Sequence, residues 1–235
     1  MKKNMLNRFW IVAGIAVCGF AGNAMATPVG TLNVANCSGG GVTVTATTIT
    51  WLPSAGSGLG CITTGLGTSV SYTGGTLGSN VNGTIKNLTL GGGSVDMFMT
   101  FTGTPLDFVL TTLGPGSSTI CSAAIGLNQT CSAAAGSPFI LTNLGANTGV
   151  SLTATGTAND GTPGSASWTG AFTTQLAGLT LSQVLTIIGT PGGHIDSTHS
   201  ASFTVTSASV PEPATLSMMG VGLLGLGLIR RRKKS

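Results

Sequence analysis

Charged side chains are scarce through the middle of this 235-residue chain. Between residues 27 and 209 there is no Arg, no Glu and one Lys, Lys86, against four Asp, which gives a net charge of −3. The charge of +4 for the whole chain comes from cations near its two ends. Nucleic-acid binding depends on clustered Lys and Arg that displace counterions from phosphates. The composition therefore excludes nucleic acid as a partner of this middle region.

Motifs of the common enzyme classes are also missing. The sequence between residues 27 and 209 has no GxSxG motif, no phosphate-binding loop, no CxxC pair and no Glu for acid–base catalysis. We expect no enzymatic activity, no cofactor and no metal site. The alternative is a metal or hydrolytic site built from the two histidines, His194 and His199, with Asp196 between them. A solvated polar turn before the last strand is the simpler interpretation of these three residues.

The first 26 residues resemble a secretory signal peptide. Three cations precede an apolar run at residues 9–21, and the small residues "AMA" lie directly before Thr27. We expect signal peptidase to cleave after Ala26. The alternatives are a buried helix of the folded domain and a lipoprotein signal that uses Cys18. The apolar run continues past Cys18, which disfavours the lipoprotein.

Export would place the remaining four cysteines in an oxidising compartment, where disulfides form. We expect the pairing that is local in sequence, which joins Cys37 to Cys61 and Cys121 to Cys131. Each bond would add about 3 kcal/mol to the free energy of unfolding in the chain-entropy model. Two other pairings and four buried free thiols are the alternatives.

The end of the chain has three consecutive parts. The first is "VPEP", which two prolines hold extended: Val210, Pro211, Glu212 and Pro213. Residues 214–229 are uncharged and as a helix would reach about 24 Å, so they would span a hydrocarbon core of ~30 Å marginally. Residues 230–235 carry five cations, which the positive-inside rule keeps in the cytoplasm. This order predicts a transmembrane helix with residues 27–209 on the outer side of the inner membrane.

Taken together, residues 210–235 resemble the PEP-CTERM sorting signal of Gram-negative bacteria. The resemblance implies processing near Pro-Glu-Pro by an exosortase, a membrane-embedded cysteine transpeptidase, followed by release or transfer to the cell surface. Members of this family commonly accompany exopolysaccharide production and biofilm formation, and the same tail is also labelled an ice-binding protein C-terminal region. The alternative is a permanent single-pass anchor with a proline-rich linker.

Residues 27–209 predict one all-β domain. Apolar residues alternate with Thr and Ser in about nine short segments separated by turn signals, which favours an antiparallel β-sandwich. Residues 41–51 are interpreted as one strand with a bulge at 47–48. In the segment at 94–101, four residues are expected to share the inner face: Val95, Met97, Met99 and Phe101. "NDGTPG" at 159–164 predicts a hairpin, and Thr180 and Gln183 form a capping box for one short helix.

These features predict an exported, non-enzymatic structural protein of the cell surface or extracellular matrix, associated with exopolysaccharide or biofilm. Its expected partners are signal peptidase, an exosortase, the inner membrane during processing, and exopolysaccharide. The alternative is a carbohydrate-binding or adhesive module. We expect a carbohydrate-binding module to show an exposed aromatic platform, for which Trp51, Trp168 and Tyr72 are the candidates. Ice binding by a row of Thr43, Thr45 and Thr47 is a third candidate.

Overall fold

The computed structural model describes residues 27–122 and 125–207, together with Gly220. The predicted signal peptide, the sorting motif at residues 210–213, the transmembrane segment and the cationic end lie outside the described residues, apart from Gly220. Residues Ala26–Ala208 form one compact unit. Within the described part of the chain, no helix has the length and apolar character needed to cross a membrane.

The described chain forms seventeen strands and one helix. In order these are β1 (Val29–Asn36), β2 (Gly41–Thr45), β3 (Thr48–Leu52), β4 (Ser54–Gly56), β5 (Leu59–Thr64), β6 (Ser69–Tyr72), β7 (Gly75–Leu77), β8 (Asn82–Lys86), β9 (Leu88–Thr89), β10 (Val95–Phe101), β11 (Asp107–Leu113), β12 (Thr130–Cys131), β13 (Phe139–Asn143), β14 (Thr148–Asn159), β15 (Ala166–Leu176), α1 (Leu181–Gly189), β16 (His194–Ser197) and β17 (Ser200–Ser207).

Eight of these strands close into a barrel. Their order is β5–β8–β10–β11–β14–β15–β17–β1. The last strand, β1, pairs with the first, β5, and this closes the barrel, with Val34 opposite Thr64 and Asn36 opposite Ile62. Every neighbouring pair is antiparallel. The predicted all-β, antiparallel architecture with one short helix is therefore confirmed, and the predicted sandwich is wrong. Alternating apolar residues fill the inside of a barrel as readily as the space between two sheets.

Aromatic side chains fill the interior of this barrel. Each of five buried rings has its centroid within 6.5 Å of at least one other ring of the set: Phe98, Phe108, Trp168, Phe172 and Phe203. Trp168 donates its ring N–H to the carbonyl oxygens of Val109 and Thr157, at 3.1 Å each. Gly156 makes room for this ring, because a Cβ there would lie 2.6 Å from it. The interior is a packed core.

A second sheet of four strands has the order β16–β2–β3–β9. Residues 41–51 belong to this sheet as a hairpin of β2 and β3, with Val44 opposite Ile49, so the prediction of one bulged strand is wrong. The turn forms because Thr45 Oγ1 accepts hydrogen bonds from the backbone N–H groups of Thr47 and Thr48. Thr47 lies in this turn, so Thr43, Thr45 and Thr47 do not form one continuous strand row.

Strand β10 differs from its predicted pattern. The register with β11 shifts between Val95 and Met99, which marks a bulge. Met97 has a φ of 48° and is 55% exposed, whereas Phe98 is fully buried in its place. The inward face predicted for this segment is therefore wrong at Met97 and right at Met99 and Phe101, which are buried.

The hairpin, helix and disulfides follow the sequence prediction. β14 and β15 pair along their lengths around the turn at 159–164. Thr180 accepts from the backbone N–H of Gln183, and the Gln183 side chain accepts from the backbone N–H of Thr180, which completes the capping box of α1. The structure joins Cys37 to Cys61 and Cys121 to Cys131.

Candidate functional site

A cavity of about 570 Å³ lies beside the aromatic core. Its walls come from β2, β13, β14, β15, β16 and α1, together with the loop at residues 133–138. Cavities of roughly 300–1,000 Å³ are typical of small-molecule sites. The size and the number of contributing elements make this the first candidate for a binding site in the described chain.

The alternation of β15 explains how core and cavity are connected. Trp168 and Phe172 point into the barrel, and the same face continues to Thr174 and Leu176, which line the cavity. Thr174 is six residues beyond Trp168, a rise of about 20 Å at ~3.4 Å per residue. The cavity therefore lies along the line of the barrel interior, past the last layer of aromatic rings.

Helix α1 and the loop at 133–138 close the cavity on other sides. Leu181 and Val184 of α1 are buried, and Leu185 and Ile188 are half-buried and contact the same apolar cluster. The loop contributes small side chains to the lining: Ala133, Ala134 and Ala135. Because these alanines reach only a short way, they leave open space.

The lining is apolar and uncharged. None of the described residues that form it is Asp, Glu, Lys or Arg. Its polar groups are few, and two of them, the Thr174 and Ser197 hydroxyls, hydrogen-bond to each other at 2.6 Å. A bound molecule would therefore meet hydrocarbon surface and a small number of hydroxyl groups. An unpaired ionised group would lose its hydration there without a compensating charge.

His199 lies at the inner end of this region. It lines a smaller cavity of about 40 Å³, whose wall includes five residues that also line the larger one: Val42, Val44, Phe139, Val150 and Thr174. His199 is 6% exposed, and its ring packs edge-on against Trp51 with the centroids 4.7 Å apart. Neither ring nitrogen has a hydrogen-bond partner within the part of the chain described. Since buried polar groups are normally paired, this imidazole is an exception that requires an explanation.

Burial lowers the pKa of His199 from 6.5 to about 4. The ring is therefore neutral at pH 7, a form in which one nitrogen is able to donate a hydrogen bond and the other is able to accept one. Its backbone N–H donates to the Asn36 side-chain oxygen at 3.2 Å, which holds the main chain at this point. The backbone of His199 is therefore held in place, although both ring nitrogens are without a hydrogen-bond partner among the described residues.

The structure separates the two histidines that the sequence groups together. His194 lies on β16 with an exposed side chain, and its Nε2 is 3.7 Å from the Asp196 Oδ2 oxygen. The expectation of a solvated position holds for His194 and is wrong for His199, which turns inward between β16 and β17. Among residues 27–122 and 125–207, no three His, Cys, Asp or Glu side chains form a metal-binding group.

The three aromatic residues proposed as a carbohydrate platform are not exposed. Trp51 and Trp168 are 2% and 1% exposed, and Trp51 donates its ring N–H to the carbonyl oxygen of Lys86 at 3.0 Å. Tyr72 is half-buried and packs against the main core. Trp51 and Trp168 therefore offer no face to a sugar ring, and Tyr72 is only partly exposed, so these three residues do not form an exposed aromatic platform.

Two carboxylates, Asp96 on β10 and Asp107 on the neighbouring strand β11, interact electrostatically near the bulge of β10. Burial raises the pKa of Asp107, and the negative charge of Asp96 raises it further, while Lys86 and a hydrogen bond from the Met97 backbone oppose the shift. Lys86 donates to the Asp96 carbonyl oxygen at 2.7 Å. The sequence signal that could have brought Asp96 and Asp107 together is the pairing of the two strands that begin near them. The larger cavity contains neither carboxylate.

Comparison with models of known families decides the nature of the tail. Residues 209–233 match the PEP-CTERM protein-sorting motif. The chain carries a PEP-CTERM sorting signal. The predicted resemblance is thus confirmed, and the match includes the predicted motif residues 210–213. Comparison with curated proteins and with solved structures finds no match.

A PEP-CTERM signal implies an exported protein that an exosortase processes. It also implies a membrane-anchored C-terminal segment before processing and a cell-surface location afterwards. The signal itself lies outside the described residues, apart from Gly220. The geometry above therefore concerns the part of the chain that the PEP-CTERM signal delivers.

Proposed function

We propose that this PEP-CTERM protein is a non-enzymatic structural component of the cell surface or extracellular matrix, associated with exopolysaccharide or biofilm. The observation that carries the proposal is the PEP-CTERM motif at residues 209–233, which follows directly on a disulfide-linked β domain. Signal peptidase removes residues 1–26, and an exosortase processes the chain near Glu212.

Two features support a role without catalysis. The exposed His194 lies 3.7 Å from Asp196, a separation longer than a hydrogen bond. His199 has no carboxylate or hydroxyl partner among the described residues, so it lacks the oriented nucleophile–base pair that hydrolytic sites use.

The decisive experiment changes Glu212→Ala in the native host. We expect unprocessed chain to accumulate in the inner membrane, because the variant lacks the carboxylate that the processing enzyme recognises in the motif. A blot of fractionated cells measures this, and the melting temperature of the protein should stay unchanged. Asp196→Ala, which removes an exposed carboxylate from the folded domain, is the matched control and should be processed normally. Normal processing of the Glu212 variant would contradict the role of the motif in sorting and would indicate that the tail is a simple membrane anchor.

A second candidate function, adhesion to polysaccharide, is favoured by one observation. Exposed hydroxyl side chains lie in register on the outer face of three adjacent strands, with Thr204 of β17 opposite both Thr169 of β15 and Thr31 of β1. Ser167, Ser202 and Thr206 extend this face. Hydroxyl groups in ordered rows can hydrogen-bond to sugar hydroxyls without any charge.

The test of adhesion is a binding assay with exopolysaccharide from the host. We expect the double variant Thr169→Val with Thr204→Val to bind less, because it removes two facing hydroxyls at little cost to strand propensity. Ser182→Ala removes an exposed hydroxyl from α1 and should bind like the wild type. Equal binding by all three proteins would contradict adhesion through this face.

A further inference from the structure

The cavity and His199 together carry an inference that does not depend on sorting. We propose that this protein binds a neutral, largely apolar small molecule that places one hydroxyl or carbonyl group against the His199 imidazole. The ligand class is that of medium-chain alcohols, ketones or similar compounds. The cavity holds the hydrocarbon part, and the smaller cavity holds the polar end.

The size of the two cavities supports this division. The larger, of about 570 Å³, has room for a hydrocarbon chain or ring system, and its wall is mainly Val, Leu, Ile and Ala. The smaller, of about 40 Å³, has room for a single polar group or one water. Shared wall residues such as Val44 and Val150 place the two spaces side by side.

The unpaired imidazole of His199 indicates that the polar group of the ligand binds beside it. A buried donor or acceptor without a partner is destabilising, so the fold keeps His199 at a disadvantage that a ligand would remove. One water would serve poorly as a permanent partner, because few polar groups line the smaller cavity. Besides His199 they are Trp51, Thr173 and Thr174. The Trp51 ring N–H already donates to the Lys86 carbonyl oxygen, and Thr174 is already bonded to Ser197.

The absence of charge in the described lining supports a neutral ligand. A fatty acid would bring a carboxylate into an apolar space whose one ionisable side chain, His199, is itself neutral. Burying that ion without a partner is strongly unfavourable. An alcohol of the same chain length presents a hydroxyl that donates or accepts and carries no such penalty.

The test uses the exported protein purified from its native host without detergent. The probe is N-phenyl-1-naphthylamine, a neutral fluorophore that brightens in apolar surroundings. We expect its fluorescence to rise on binding and to fall when 1-octanol displaces it at pH 7.5. Octanoate and 1-chlorooctane should each need at least about tenfold higher concentration, since one carries a charge and the other lacks the hydrogen bond.

Two pairs of variants locate the site. Ile188→Trp fills the cavity from α1 and should weaken probe binding at least tenfold, whereas Ser182→Trp on the exposed face of α1 should bind normally. His199→Phe keeps a ring but removes both nitrogens, so it should lose the preference for 1-octanol over 1-chlorooctane. His194→Phe, which changes the exposed histidine, should keep that preference.

Each outcome is informative. No rise in probe fluorescence, or an undiminished rise in the Ile188→Trp protein, would overturn the site. Octanoate competing as well as 1-octanol would overturn the neutral ligand class. A preference for 1-octanol that survives in His199→Phe would overturn the role of His199. If His199→Phe does not fold, His199→Gln supplies a donor and an acceptor again and should retain the preference.

Discussion

The barrel interior and the cavity beside it are both apolar, but large aromatic rings fill the interior and smaller aliphatic side chains line the cavity. In the interior, the Trp168 ring N–H has two carbonyl acceptors at 3.1 Å and the space around it is filled. At the cavity, the two ring nitrogens of His199 have no hydrogen-bond partner among the described residues, and about 570 Å³ stays open nearby. The interior meets the requirements of a stable core, whereas the cavity meets those of a binding site.

Small residues show the same difference. Gly156 is small because the Trp168 ring and the Val109 carbonyl occupy the space where its side chain would lie. Ala133, Ala134 and Ala135 are small where no large neighbour takes up the room. One set of small residues permits close packing, and the other leaves a void. The meaning of a small residue therefore depends on what faces it.

The largest expected effect tests the packing of the interior. Gly156→Ala would place a Cβ 1.8 Å from the Val109 carbonyl oxygen, so β11 would have to move away from β14. We expect the free energy of unfolding to fall by about 4 kcal/mol or more, since strongly overpacked sites lie at the upper end of mutational effects. Urea denaturation measures the loss. Gly93→Ala is the control, because nothing lies within 4 Å of its added carbon.

The two disulfides allow the regions to be weakened separately. Changing Cys37 and Cys61 to Ser opens the link between β5 and the turn after β1. It should cost about 3.5 kcal/mol, against about 2.8 kcal/mol for Cys121 and Cys131, whose loop is shorter. Cys131 is packed in the apolar cluster next to α1. Only removal of the second pair should therefore weaken binding of N-phenyl-1-naphthylamine. Equal losses of probe binding would mean that the regions are not independent.

The smallest expected effect is a pH dependence. The pKa of His199 is 6.5 when the chain is unfolded and about 4 when it is folded, so the unfolded chain binds more protons between these values. Its contribution to stability is complete above pH 6.5 and is lost as the pH falls towards 4. Between pH 7 and pH 5 the loss should be about 2 kcal/mol.

Denaturation curves at several pH values measure this dependence. The His199→Gln protein should lack the histidine-dependent part of the slope that the wild type shows. Because Asp107 and Asp160 titrate in both proteins, their contributions cancel in the comparison. An unchanged slope in His199→Gln would show that the buried imidazole is not the group responsible.

The sequence was sufficient for features that depend on neighbours in the chain. The β14–β15 hairpin, the capping box at Thr180 and the inward positions of Trp168 and Phe172 follow from turn chemistry and a period of two. The tail motif, being contiguous, was also recognisable.

Features that depend on distant pairing were not predictable in the same way. Closure of the barrel requires β1 to pair with both β17 and β5, and no local pattern encodes which strands meet. The sequence around His199 is polar and predicts a solvated turn. The burial of His199 follows from Trp51 and Phe172, which reach it from two other strands.

The position of β17 in the barrel has a consequence for export. This strand fills the gap between β15 and β1, and it ends at Ser207, two residues before the matched motif at 209–233. A chain that emerges amino terminus first delivers every other barrel strand before this one. The barrel therefore stays open until translocation has nearly reached the sorting signal, so completion of the fold and arrival of the signal at the membrane are almost simultaneous events.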